Sequence, residues 1–554
     1  MATRKLQRDS KPPKPPIRAA ARSRRRGWLA LSAAIALLAL ASWRAWRLMH
    51  VPIDSLLAEA RQALANGDNV TTEAICQRVL DHDPHDSEAL LLAGEAAGKA
   101  GRLEAAVEYY HRVPNDDAPR AALARLAAGD LLLHAAHAEA AERDLRAAID
   151  LDQNLVYAHE RLAWLLGVEG RRFEALPYVY HALRQQHAPM GLLLAAGNHD
   201  VAFHEQVWLD AFREAEPGNP LPLIGLARTE LLGDRPRARR LLEQVRADRP
   251  SQVEAYVLLG RVLWEQSDWQ ALTHWQTTAP ADAANHPDFW LMRGYLARQR
   301  GDLPTAARSF WEAVRRDSNH QIATYQLLRT LKSFANLPEA VTPDEIELLT
   351  RRSRRLEELM ETFEMLRSRG GDTELMRRAA VLTEELGRLW ESWGWHQVAQ
   401  GAAPDAEWIA AGLTRLEPLL QPELGATLAA HNPAEMLDLS GFPLPLEPRP
   451  ASEEADPTAP ADTSLAASSK AKSSPAFRDM AAELGVDFTH YRGCDPDASD
   501  GRMFEFTGGG VAVLDFDLDA WPDLYLTQGS RWPPKAGQTE FLDQLFRNHS
   551  GSSF

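Results

Sequence analysis

The chain has 554 residues, enough for several domains, with a net charge of −16 and two cysteines. Residues 1–26 hold ten Lys/Arg against one Asp, so residues 27–554 carry −25. An acidic body repels phosphate and excludes nucleic acid as the expected partner, and two cysteines in separate segments exclude a disulfide framework.

The basic leader, residues 1–26, precedes an uncharged apolar run over 27–43, with Trp28, Trp43 and Trp46 where interfacial aromatics belong. Seventeen residues is the lower limit for a helix that spans a bilayer. Arg22, Arg24, Arg25 and Arg26 upstream favour an inside N-terminus. Residues 1–26 therefore read as a cytoplasmic tail and 27–46 as a membrane anchor, with a periplasmic or cell-surface body of bacterial type. A cleaved signal peptide with Ala39-Leu40-Ala41 as its site is the alternative, and it would make the protein secreted.

From residue 52 a small residue recurs at Ala60, Gly94, Gly129, Ala163, Gly197, Ala227, Gly260 and Gly294, spaced 34, 35, 34, 34, 30, 33 and 34 apart. Further columns follow in register. Ala106, Ala141, Ala175 and Ala306 come first, then the bulky Tyr110, Leu145, Val179 and Phe310, then Val113, Ala148, Ala182 and Ala313. Gly67, Gly101, Gly170 and Gly301 fall where a hairpin must turn. A period near 34 with these columns resembles the tetratricopeptide repeat, a helical hairpin that stacks into a solenoid. About eight copies are expected over residues 52–335, with those at Gly197 and Gly260 degenerate. Their groove is expected to take a protein or peptide partner. Trp264, Trp269, Trp275 and Trp290 read as core. Cys76 occupies the bulky position of the first copy and reads as a buried hydrophobe.

Residues 336–440 read as a helical extension, with charged helices over 343–369 and 373–395. Residues 441–475 are rich in Pro, Ala, Ser, Thr and Glu without apolar periodicity, the composition of a disordered linker.

Beyond it, Gly508-Gly-Gly-Val511-Ala-Val-Leu514 reads as a turn entering a strand, and Leu524-Tyr-Leu-Thr527 as a second strand. Asp515, Asp517, Asp519 and Asp523 crowd between them, and oxygen ligands so placed suit calcium. An EF-hand is excluded, since Ala520 and Leu526 stand where it needs Gly and Glu. Together with the run from Phe477 to His490 and Leu545-Phe-Arg-Asn548, this string resembles FG-GAP/VCBS proteins, the integrin-like β-propellers that often carry an ASPIC/UnbV region and are related to cartilage acidic protein. The resemblance covers about residues 476–554. It implies a propeller whose Asp515, Asp517, Asp519 and Asp523 bind calcium, although Leu518 and Ala520 replace family glycines. Residues 476–554 supply about one blade, so they are expected to be the first part of a truncated propeller.

The expected fold is thus mainly α, a tetratricopeptide α-α superhelix followed by a linker and a partial β-propeller. No nucleophile–base constellation, His-x-x-x-His pair or phosphate loop stands out, so the expectation is a membrane-anchored scaffold rather than an enzyme. A secreted calcium-dependent adhesion or lectin-like protein, or a non-catalytic subunit of an extracytoplasmic enzyme, is the alternative.

Overall fold

The computed structural model describes residues 52–197, 206–334, 341–445, 479–491, 509–514, 516, 522–529, 541–549 and 553–554. The chain divides into two compact units, 1–453 and 454–554. The segment 27–46 and Cys494 lie outside the described residues. Among the described residues, no helix is long and apolar enough to cross a membrane.

The first unit is a succession of antiparallel helix pairs, beginning with Ile53–Ala65 and Asn69–Leu80, then Ser87–Lys99 and Leu103–His111, then Ala118–His134 and Ala138–Leu151. Several of the pairs turn in the same way. The residue seven places after the small one takes positive φ, between 75 and 80° at Gly67, Gly101, Gly170 and Gly301. The next amide then reaches back to the helix end, as from Asp68 to Ala63 O at 2.9 Å and from Asp302 to Ala297 O at 3.0 Å. Asp68, Asp268 and Asp302 cap the helices that follow by accepting the backbone N–H groups of Thr71, Ala271 and Thr305.

The small column exists because the second helix lies almost on the first. A Cβ on Gly94 would come within 2.6 Å of the Tyr110 ring, and one on Gly260 within 2.7 Å of Trp275. Gly294 faces Phe310 in the same way. Cys76 is fully buried at its bulky position, and burial pushes its thiol up to about 12.

Two features depart from the sequence reading. Gly197 ends the short helix Met190–Gly197, and its open side faces Phe363 of helix Pro343–Ser368 rather than the next helix of its own copy. The expected helix over 373–395 is instead a hairpin, Thr373–Glu385 and Leu389–Ala402, broken at Gly387 with φ 76°. Arg388 N donates to Thr383 O at 2.8 Å, which is the turn of the earlier pairs. Ala380, seven residues before Gly387, is its small residue.

This late hairpin packs back onto the middle of the repeats. Leu193, Ala196, Phe363, Trp395 and Ala399 share one apolar cluster, separate from the cluster that runs through helices Val253–Glu265, Pro287–Gln299 and Leu303–Arg316. Residues 437–445 then run back over the repeats. Trp311 Nε1 donates to Leu437 O at 2.6 Å, and Arg293 to Pro445 O at 2.9 Å.

The described part of the second unit holds the short helix Ala481–Leu484 and three strands, β1 (Val511–Leu514), β2 (Asp523–Leu526) and β3 (Gln544–Phe546). They form one antiparallel sheet in the order β1-β2-β3, with Leu514 opposite Asp523 and Leu524 opposite Phe546.

Candidate binding groove

Helices Val253–Glu265, Pro287–Gln299 and Gln321–Lys332 are the first helices of successive pairs. They bound a cavity of about 250 Å³ lined by Arg261, Trp264, Asp288, Leu291, Tyr295 and Tyr325, among others. Trp264 stacks on Tyr295 with ring centroids 4.1 Å apart, and the Arg298 guanidinium sits 5.4 Å from the Tyr295 ring. Trp275 and Trp290 are buried as expected, whereas Trp264 is half-buried and forms part of the groove wall.

Three cations stand at one end of the groove. Arg298 donates to Gln326, and burial, reinforced by the neighbouring charge of Arg329, lowers its pKa. Arg329 and Lys332 are exposed. Among the described residues, no carboxylate pairs with any of these three.

The floor at the helix starts is a repeated acid–histidine pair. His286 and His320 cap successive first helices, accepting Asp288 N at 3.1 Å and Ala323 N at 3.2 Å on Nδ1. Each Nε2–H therefore faces a carboxylate, Glu254 at 3.0 Å and Asp288 at 2.8 Å. Arg228 and the amide of Arg172 also donate to Glu254, at 2.6 and 3.1 Å. Burial alone would raise the Glu254 carboxyl, but His286 and Arg228 outweigh it and hold it down at about 2. The Asp288 carboxyl is lowered too, with His320 overcoming its burial. Both ring nitrogens of each histidine are engaged, so these pairs brace the groove. These residues were not among those singled out from the sequence, although the histidines and the acids each stand 34 residues apart, in step with the repeat.

Of the four carboxylates singled out in the sequence, Asp515, Asp517 and Asp519 lie outside the described residues. Asp523 is fully buried at the start of β2. Its Oδ2 accepts Phe516 N at 3.0 Å and its Oδ1 accepts Asn548 N at 2.7 Å, so it ties the β1–β2 connection to the end of β3. Among the described residues, no cluster of three or more His, Cys, Asp or Glu could hold a metal.

Residues 63–129 and 232–271 match two family models, both described as tetratricopeptide repeat. Both segments are tetratricopeptide repeats. The helices Pro287–Gln299 and Gln321–Lys332 lie beyond the second match and continue the tetratricopeptide spacing and turn. No curated protein matches the chain. Among solved structures it is similar to a tetratricopeptide repeat protein from Parabacteroides merdae, at 14% identity over 50% of this chain and 98% of that one, with a TM-score of 0.22. It is also similar to the P58(IPK) TPR domain, at 16% identity over 67% and 98%, with a TM-score of 0.21. The human IFIT1 dimer with PPP-AAAA aligns at 14% identity over 65% and 93%, with a TM-score of 0.28. Tetratricopeptide repeats are a protein-interaction architecture, and the groove is where this chain offers its side chains.

Proposed function

We propose that this chain is an exported, membrane-anchored scaffold that binds a protein segment in its repeat groove and carries a calcium-binding hairpin in its C-terminal unit. The observation that supports the groove is the meeting of aromatic faces at Trp264, Tyr295 and Tyr325 with the unpaired cations of Arg298 and Arg329. Rings give contact area at low entropy cost, and uncompensated arginines favour carboxylates. The partner is an acidic segment with apolar or aromatic residues. Fluorescence anisotropy with acidic and basic decapeptides on the full chain tests this. Acidic peptides should bind, and Arg329→Glu should weaken them about tenfold. Equal binding of both peptide sets, or indifference to the variant, overturns it.

The calcium reading rests on the hairpin. β1 ends at Leu514 and β2 begins at Asp523, so Asp515, Asp517 and Asp519 share one strand connection. Among the described residues, each Asp523 oxygen accepts one amide N–H, and a carboxylate oxygen has a second lone pair to offer. In this proposal the three-strand meander is part of an FG-GAP-type propeller blade, with Asp515, Asp517, Asp519 and Asp523 around the ion. Calcium titration of the full chain should raise its melting temperature, and Asp517→Ala should abolish the rise. The anchor rests on the sequence of residues 27–46, and membrane fractionation with and without residues 1–46 tests it.

A further inference from the structure

Outside the groove, a second cavity of about 340 Å³ opens between helix Pro343–Ser368 and the end of helix Thr373–Glu385. Leu348, Arg351, Arg352 and Arg355 recur at helical spacing and line one wall, while Glu385, Leu386, Ala430 and His431 line the other. Three arginines thus share one helix face.

Arg352 makes the cavity positive from within. It is buried, and it donates to Ser318 O, Leu386 O, His431 O and Asn319 Oδ1, all of them neutral. Among the described residues, no carboxylate pairs with it. Burial and the nearby charge of Arg388 outweigh the attraction of Asp317 and lower it to about 10.

Arg351 and Arg355 are freer. Arg351 is 68% exposed and stands 3.9 Å from Glu347, and Arg355 pairs with Glu358 at 2.9 Å and Glu385 at 2.7 Å. Exposed pairs of this kind hold by roughly 0–1 kcal/mol, so both guanidiniums can turn to a better acceptor. A guanidinium takes an oxyanion through two parallel N–H groups. The volume falls in the range of small-molecule sites.

We propose that this cavity binds a small oxyanion, a phosphate or carboxylate group, gripped by Arg351 and Arg355 over the fixed charge of Arg352. The site is independent of the peptide groove.

Thermal melting and calorimetry of the full chain with inorganic phosphate, succinate and chloride at equal ionic strength test it. Saturable stabilisation by phosphate or succinate, absent with chloride, is expected. Phosphate alone identifies a phosphoryl ligand, and both together identify a general carboxylate or phosphate site. Arg351→Ala with Arg355→Ala should weaken binding at least tenfold. Arg351→Glu should do the same while leaving the melting temperature without anion near that of the parent, since the residue is exposed. Equal responses to all three anions, or unchanged binding in both variants, overturn the proposal.

Discussion

The Tyr180 hydroxyl donates to Glu391 Oε1 at 3.1 Å, joining residues 211 apart in the chain. Glu391 also holds Arg388, which is fully buried and reaches Ala196 O at 3.1 Å. The late hairpin is thereby tied to the middle of the repeats through one carboxylate. Glu391→Ala strands a buried cation and should cost about 3–5 kcal/mol. Tyr180→Phe removes one neutral donor and should cost about 1 kcal/mol. Urea unfolding followed by tryptophan fluorescence checks both, and equal losses would show that the pair is not the fastener.

The small column makes a prediction with a built-in contrast. Gly294→Ala forces a methyl against Phe310 and should cost about 1–3 kcal/mol. Gly401→Ala adds the same methyl inside helix Leu389–Ala402 where nothing lies within 4 Å, and should be neutral or stabilising by up to about 1 kcal/mol. The melting temperature of Gly294→Ala should fall, while that of Gly401→Ala holds or rises.

Glu169 carries a pH dependence. It is fully buried beside Arg171 at 2.8 Å, and among the described residues its Oε1 has no hydrogen-bond partner. Burial, helped by repulsion from Glu142 and Glu174, outweighs the attraction of Arg171 and raises the carboxyl to about 7. The unfolded chain loses this proton near the ordinary value of 4.5, and the folded chain only near 7. Between the two the folded state binds more protons, so this group's contribution is fully present below 4.5 and is lost as pH rises through 7. The loss is on the order of 3 kcal/mol. Glu169→Gln should flatten the stability profile over that window, measured as urea midpoints at successive pH values.

Cys76 is buried, and its thiol is held far above the range in which thiolates form at neutral pH. Alkylation of the native protein followed by peptide mass mapping should leave it unmodified until denaturant is added. Labelling in native buffer would show that the first repeat opens.

What the sequence determined by itself is the local grammar of the repeats. The contact of a small residue with a bulky one 16 places later, as in Gly94 with Tyr110, and the turn at the seventh place lie within one hairpin. Such features recur with the period and can be counted. The same rule leads to Gly387, seven places after Ala380, but the bulky place is filled by His396, which blurs the column. Only the tertiary structure decided which surfaces meet beyond neighbouring hairpins. Gly197 receives Phe363 from helix Pro343–Ser368, and Tyr180 reaches Glu391 of the late hairpin, because both later segments pack into one apolar cluster with the middle of the repeats. A contact made once, between segments far apart in the chain, has no period to betray it. The same holds for the cavity at Arg351, Arg352 and Arg355, whose helix face looks solvated in sequence and gains its second wall only from Leu386 and His431.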